Sequence, residues 1–314
     1  MLTIGVDVGG TSVRAGVVDA EGTVLDTARA PTPGGESALE ATVARVIEEL
    51  ARRHRVAAAG LALAGFVTPD RRGVRFAAHL AWRDAPVAER IAARTGLPIL
   101  VEHDANAAAL GERHFGAAAG ASTVVFLALG TGIGSALLID GVLFRGAHGV
   151  APELGHLRVV PGGRPCPCGK SGCWERYCSG TALATTAVEM LAREPGRSPM
   201  LGRLVAEDPG RITGQRVAAA ARDGDPVACA AVADLARWLG EGLSLVADVF
   251  DPELVVIGGG VSGSAPLYLD AAREHYVAAL TGAGARPLAR IRTAQLGEAA
   301  AVVGAAQLAR GAVG

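Results

Sequence analysis

Four residues of metal-ligand type, His156, Cys166, Cys168 and Cys173, fall within residues 153–175, ELGHLRVVPGGRPCPCGKSGCWE. One histidine and three cysteines make the donor set of a structural zinc, tetrahedral and without an open position. Gly162, Gly163, Gly169 and Gly172 let the backbone turn tightly enough for one ion to reach all four. Two carboxylates bracket this knuckle. Glu153 stands three residues before His156, on the same face if the segment is one helical turn, and Glu175 stands two residues beyond Cys173. A chain folded around such an ion holds both acids in fixed places. The metal therefore reads as scaffolding for a polar group that the acids bind.

Disulfides would need an oxidising compartment. No secretory apolar segment follows Met1, and residues 2–6 already read as a strand, so a cytoplasmic location is expected. There, clustered cysteines bind metal or do redox work. A redox C-x-x-C is absent, the close pair being Cys166-Pro167-Cys168, and Cys178 and Cys229 read as plain buried thiols. With 30 basic against 31 acidic residues, the chain offers neither a basic nucleic-acid surface nor a polybasic membrane anchor. No run of about 18 apolar residues spans a bilayer. The 314 residues are enough for two domains with a core each.

Residues 2–8 form an apolar run broken by Asp7, followed by Gly9-Gly10-Thr11 and a second run at 13–18. Residues 19–22 read as a turn and 23–28 as a third strand. The bare N–H groups of such a glycine turn can face a phosphate, although many hairpins carry glycine for turn geometry only. The pattern recurs as a strand ending at Leu129, then Gly130-Thr131-Gly132, a further strand, and Asp140-Gly141. Asp19 follows Gly9 by ten residues and Asp140 follows Gly130 by ten, which points to a duplicated unit with one phosphate hairpin in each half.

Between the hairpins, a capping box from Ser37 to Glu40 predicts a helix with Leu39, Val43, Val46, Ile47 and Leu50 on its apolar face. Residues 56–64 read as a strand, 86–95 as a helix stopped by Gly96, and 98–101 as a strand whose end carries Glu102-His103-Asp104. A helix follows at 105–115. Asp104 thus falls at a strand's C-terminal end and a helix's N-terminus, where open α/β sheets place their ligands. Beyond the knuckle, helices are expected at 181–193, 227–248, 266–280 and 298–310, with strands at 254–257 and 290–295 and a polar surface connection at 194–213. A break at 116–121 divides a small N-terminal α/β domain, 1–117, from a larger C-terminal α/β domain, 118–297, that carries the knuckle. Segment 298–314 is expected to pack back on the first domain.

Glycine-rich turns at strand ends point to a nucleotide. A Walker loop needs GxxxxGK[ST]. The only lysine gives Gly169-Lys170-Ser171, but Arg164 stands where the first glycine must, and the strand–loop–helix setting is missing. A protein-kinase strand lysine is likewise absent. Gly258-x-Gly260-x-x-Gly263 matches a dinucleotide fingerprint. Its ribose-binding acid should lie about 20 residues on, at the end of the next strand, and that strand ends only near Gly297-Glu298.

Asp7-Val8-Gly9-Gly10-Thr11, the second hairpin at Gly130, the run from Gly155 to Glu175 and Gly258-Gly259-Gly260 together resemble the ROK family of bacterial sugar kinases and repressors. Ala64-Gly65-Phe66-Val67 and Leu80-Ala81-Trp82-Arg83 bring the resemblance nearest to its glucokinases. The resemblance implies an α/β, actin-like ATPase (ribonuclease-H-like) fold of two domains around ATP and a hexose. It also implies a zinc knuckle at His156, Cys166, Cys168 and Cys173, and dimers or tetramers. Substrate contacts would come from Gly65, residues 79 and 103, Asp104, Glu153, His156 and Glu175. Asp104 would be the general base, a modest base sufficing because phosphoryl transfer is mostly positioning and charge stabilisation. An N-cap is the plainer role for Asp at such a place and is compatible with it. Asp7 would organise Mg²⁺ water. Gly9, Gly10, Thr11, Gly130, Thr131, Gly132, Gly258, Gly259 and Gly260 would cradle the nucleotide. The family's repressors carry a helix-turn-helix ahead of the first glycine turn, and no room for one is expected here.

Two sugar-facing positions depart from the pattern. The family's usual Asn before the base is His103, and the Asn before Leu-Ala-Trp is His79. Asn offers a donor and an acceptor on one short amide. Neutral His offers them on opposite ring sides, and cationic His only donates. The substitutions leave the hexose open: glucose, another hexose, or an N-acetylhexosamine. They also leave open a sugar-sensing protein with weak catalysis, and a histidine that merely packs beside Trp82. ATP and polyphosphate would lie along the same hairpins.

Overall fold

The structure, a computed structural model, describes residues 1–194 and 196–313. Pro195, in the connection expected at 194–213, and Gly314, at the end of the segment expected to pack back, lie outside the described residues. The chain parts into two compact units, Met1–Phe126 with Ala136–Pro152 and Ala294–Gly314, and Leu127–Ser135 with Glu153–Thr293. Residues 116–121 lie inside the first unit, where Ala117, Ala118 and Ala121 are buried.

The chain opens with the hairpin β1 (Leu2–Val8) and β2 (Ser12–Val18), to which β3 (Val24–Pro31) adds antiparallel. Helix α1 (Glu36–Ala51) buries Leu39, Val43, Val46, Ile47 and Leu50, as its spacing predicts. The capping box does not form. Gly35 precedes the helix without a side-chain cap, Ser37 lies inside it, and Glu40 is buried against Arg90. Packing carries this helix, since each buried aliphatic side chain contributes about 1.5–3 kcal/mol and a cap about 1. Strand β4 (Val56–Leu63) runs parallel to β1. A small antiparallel sheet follows that the sequence pattern did not suggest: β5 (Phe66–Val67), β6 (Val74–Phe76) and β7 (Arg83–Ala85). Its strands are too short to show a period. Then come α2 (Val87–Thr95), stopped by Gly96 in the left-handed region, β8 (Ile99–His103) parallel to β4, and α3 (Asp104–Phe115).

The second hairpin is β9 (Val124–Leu129) and β10 (Ile133–Ile139), and the Asp140-Gly141 turn, with φ 53° and 74°, leads into β11 (Val142–Leu143). After the knuckle, α4 (Gly180–Arg193) starts on the Ser179 cap. The expected surface connection holds a helix, α5 (Pro199–Glu207). Ser198 caps it by accepting from Leu201 N–H, Pro199 opens it, and Leu201 is buried. Helix α6 (Gly214–Arg222) starts on Thr213, and α7 (Pro226–Phe250) on Asp225. Strand β12 (Leu254–Gly258) follows. The helix expected at 266–280 divides at Tyr268 into a 3₁₀ turn holding Pro266 and α8 (Leu269–Ala279). Strand β13 (Arg290–Thr293) pairs parallel with β12, and α9 (Ala300–Gly311) ends the chain.

The strand orders are β3-β2-β1-β4-β8 and β11-β10-β9-β12-β13. Each sheet is a hairpin and a third strand extended by two strands on the other side, so the ten-residue repeat in the sequence is a repeat of topology. In the first sheet, Leu61 and Leu63 of β4 join the cluster of α1, while Ala62, on the opposite face, packs against Ala107 of α3 and Ala305 of α9. A side chain at Gly5 or Gly60 would strike the α9 backbone, 1.8 Å from Val302 O and 2.0 Å from Ala305 O. Glycine at those two places lets α9 lie directly on the sheet. Buried Glu112 of α3 accepts from Gln295 and Leu296 N–H and fixes the approach to that helix.

Candidate functional site

In the first unit, β1 carries Asp7 next to its last residue, Val8, and the chain turns through Gly9-Gly10-Thr11. Gly9 N–H donates to Ser12 O at 3.0 Å, and the Thr32 hydroxyl donates to Gly9 O at 2.6 Å. The turn is thus braced from behind, with Gly10 and Thr11 exposed. Burial raises the Asp7 carboxyl above the usual range. The hydrogen bond and charge of Arg14 pull it back, and the Asp104 charge raises it further.

Asp104 is the first residue of α3, and His103 before it is extended. The carboxylate accepts from Ala105 N–H at 2.7 Å, so its charge sits at the positive helix end with a side chain 40% exposed. It is not the N-cap. His103 Nε2 lies 3.3 Å from Asp104 Oδ1. His79 is exposed, and its β-carbon would stand 3.3 Å from one built on Gly10. It faces the first glycine turn. At Gly65 a β-carbon would meet Phe76 O at 2.7 Å, so close packing on β6 already calls for glycine there.

In the second unit, the ligand atoms of His156, Cys166, Cys168 and Cys173 all lie within 4.8 Å of one another. Cys168 and Cys173 Sγ are 3.6 Å apart, and Cys166 Sγ is 3.7 Å from His156 Nδ1. Ligands about 2.3 Å from a tetrahedral zinc stand about 3.7 Å apart, so the donor set fits that ion. Lys170 O accepts from Cys166 N–H and Cys166 O accepts from Gly169 N–H, closing the turn. Trp174, fully buried, anchors it to α7 through Nε1–H to Trp238 O at 2.8 Å. Burial pushes the Cys166 and Cys173 thiols up. Against burial, the Lys170 N–H and the neighbouring thiols hold Cys168 below the ordinary range.

Glu153 Oε2 lies 4.0 Å from His156 Nε2. Glu175 faces two ways. Its Oε1 is 3.1 Å from Cys166 Sγ and 3.6 Å from His156 Nδ1, and its Oε2 is 3.4 Å from Ile133 N. A β-carbon on Gly132 would touch that Oε2, so glycine there makes room for the acid. The knuckle and the second glycine turn meet at this carboxylate.

Gly130 O accepts from Gly180 N–H, and Leu129 O accepts from Val261 N–H, which brings Gly258-Gly259-Gly260 beside the second turn. A cavity of about 490 Å³ opens there, lined by Gly130, Thr131 and Gly260 and by the starts of α4 and α6. Gly180, Thr181, Thr213, Gly214, Gln215 and Tyr268 are lining residues that the motifs did not point to. The available signal was the pair of capped helix starts, Ser179-Gly180 and Thr213-Gly214, whose positive ends suit a polar ligand. The volume and mostly apolar lining suit a nucleoside.

The ROK family model matches residues 3–312. A glucokinase of Streptomyces coelicolor is 45% identical over 98% of this chain and 98% of its own. A ROK family glucokinase from Streptomyces griseus, solved in complex with glucose and AMPPNP, has a TM-score of 0.88 and 44% identity, covering 99% of this chain and 100% of that one. A ROK hexokinase from Thermus thermophilus has a TM-score of 0.80 at 33% identity, covering 100% and 99%. The mixed α/β architecture with its repeated sheet is the actin-like ATPase fold of these structures. With the family pattern running from residue 3 to residue 312, the chain belongs to the ROK family.

Proposed function

We propose that this chain is an ATP-dependent hexose kinase acting on glucose at O6, with Asp104 as general base. The observation that carries the reading is Asp104 itself: a part-exposed carboxylate on the first turn of α3, within electrostatic reach of Asp7 beside a glycine turn, in a ROK chain. In the reaction the sugar oxygen attacks the γ-phosphorus, its proton passes to Asp104, and the bond from phosphorus to the bridging oxygen of ADP breaks. Mg²⁺, when bound, neutralises charge on the phosphates, and Asp7 would hold its water shell. Thr11 and Thr131 would donate to phosphate oxygens with the N–H groups of Gly10 and Gly132, while Gly9 and Gly130, whose N–H groups close the two turns on Ser12 O and Gly132 O, would let the phosphates approach the backbone. Gly260 lines the nucleoside cavity, and Gly258 and Gly259, the latter packed against the end of β9 at Leu129, would bring the chain to it. Glu153, His156, Glu175, Gly65, His79 and His103 would surround the sugar, and zinc at His156, Cys166, Cys168 and Cys173 would hold that side in shape.

A cytoplasmic homodimer or homotetramer, with small-molecule sugar and ATP as its ligands and neither nucleic acid nor membrane as a partner, completes the reading. Among the described residues no helix is long and apolar enough to cross a membrane. The domains are proposed to be 1–117 and 118–297, with 298–314 returning to the first.

His79 and His103 favour a second reading, a kinase for another hexose or an N-acetylhexosamine, because both stand at sugar-facing positions of the family. ADP release with MgATP over glucose, mannose, allose, fructose, N-acetylglucosamine and N-acetylmannosamine decides between them. Turnover on glucose supports the first reading, and turnover on another sugar alone supports the second. Silence on all six, in protein with its zinc, would leave a sugar sensor.

A further inference from the structure

Glu102 is fully buried beneath the junction of β8 and α3. Its Oε1 accepts from His103 N–H at 2.9 Å and from Asn106 Nδ2 at 3.0 Å, and its Oε2 accepts from Arg71 Nε at 2.8 Å. Arg145 Nε lies 3.0 Å from Oε2 and 3.2 Å from Oε1. A buried carboxylate is tolerated only when donors replace its water, and here four donors from separate parts of the first unit converge on one group. Each arginine is itself held. Arg145 donates Nη1 to Pro69 O and Nη2 to Thr68 O, at 2.8 and 3.0 Å. Arg71 accepts from Val101 N–H at 2.9 Å and sits at φ 60°, a strained place for a residue with a β-carbon.

Well-packed apolar residues often serve stability as well as a buried ion pair does, so stability alone does not call for this arrangement. Its geometry suggests why it is there. Two of the four donors, the His103 amide and the Asn106 side chain, flank Asp104 in sequence and belong to the start of α3. The other two come from the turn between β5 and β6, at Arg71, and from the segment that follows β11, at Arg145. Glu102 thus ties the first turn of α3 to the sheet whose loops carry Gly65 and His79.

We propose that Glu102 is a positioning residue for phosphoryl transfer: held by Arg71 and Arg145, it fixes the first turn of α3 so that the Asp104 carboxylate meets the sugar hydroxyl in line. This rests on the reading of Asp104 as base. Glu102 touches no substrate, and no bond is made or broken there. Misplacement of a reacting group by about 1 Å costs about 100-fold in rate, which sets the scale of the effect.

The test is a double-mutant cycle on the zinc-loaded full chain, with kcat and both KM values measured for wild type, Glu102→Gln, Asp104→Ala and the double variant. Glu102→Gln keeps the shape and one acceptor and removes the charge. Its kcat should fall by about 10- to 100-fold with both KM values within about 2-fold, and in the Asp104→Ala background it should cause no further loss. Should Glu102→Gln not fold, Glu102→Leu with Arg145→Met removes both charges together, and the same selective loss of kcat is expected. An unchanged kcat overturns the proposal, as does a loss of equal size with and without Asp104. Asp104→Ala alone judges the underlying reading. If it turns over at the wild-type rate, the base lies elsewhere and Glu102 loses its role with it. If Asp104→Ala is crippled and the losses add, only the role of Glu102 falls.

Discussion

Arg14 Nη2 lies 2.7 Å from Asp7 Oδ2 across the first hairpin, where the register sets the two residues opposite one another. Burial still wins, and the Asp7 carboxyl stays above the usual range. A carboxyl raised on folding favours the folded state when protonated. That contribution is full below the ordinary carboxylate value near 3.8 and is lost as pH rises through the folded value, so ionised Asp7 is a net cost at neutral pH. Asp7→Asn should therefore raise Tm at pH 7, with the gain shrinking towards pH 4, while kcat/KM for ATP falls by about 100-fold or more. Thermal melts from pH 4 to 8 beside steady-state rates check both halves. A lower Tm at pH 7 would mean that the pairing with Arg14 outweighs burial.

The knuckle should depend on its ion for shape. Gly172 has φ 81°, and a β-carbon there would lie 1.6 Å from Val160 O, so Gly172→Ala should disrupt the turn that aligns Cys173. Elemental analysis should give about one zinc per chain in wild type and much less in Gly172→Ala and Cys168→Ser. Both variants should melt at lower temperature and lose sugar turnover, and a strong chelator should reproduce this in wild type. Full activity in zinc-free protein would remove the metal from the account.

The nucleoside cavity gives a prediction that separates ATP from polyphosphate. Ala184 lines it on α4, and Ala184→Phe would fill part of its roughly 490 Å³. KM for ATP should rise by about 10-fold or more while KM for sugar holds. Where polyphosphate serves as donor, its KM should not move, because it brings no base to the cavity. Equal loss with both donors would place the nucleoside elsewhere.

Much of this was legible because the repeat is one of backbone. Two strand–glycine–strand hairpins at equal spacing point to a duplicated unit, and the two five-stranded sheets that contain them have the same order. The four zinc-type ligands lie close in sequence and converge in space. Ser37 and Glu40 misled because Arg90, fifty residues on, claims Glu40. Glu102 stands out in no local pattern, since its importance rests on Arg71 and Arg145, which no sequence spacing joins to it. Glu175 carried a sugar role by resemblance, and its contacts with Cys166 and Ile133 N depend on how the loop folds over the second turn.

The two histidines should part company when mutated. His103 Nε2 is 3.3 Å from Asp104 Oδ1, whereas His79 stands against Gly10. The imidazole can donate to the base through Nε2, a contact that a shorter Asn amide at 103 would not reproduce. His103→Asn should accordingly lower kcat by about 3- to 10-fold while KM for sugar holds, as loss of one hydrogen bond to the base does. His79→Asn should leave kcat in place and shift KM, for the preferred sugar or for ATP, by about 3- to 10-fold, as loss of one hydrogen bond does. The measurement is kcat and both KM values for the two variants. A His103→Asn enzyme with an unchanged kcat and a shifted sugar KM would detach this imidazole from the base and return it to reading the sugar.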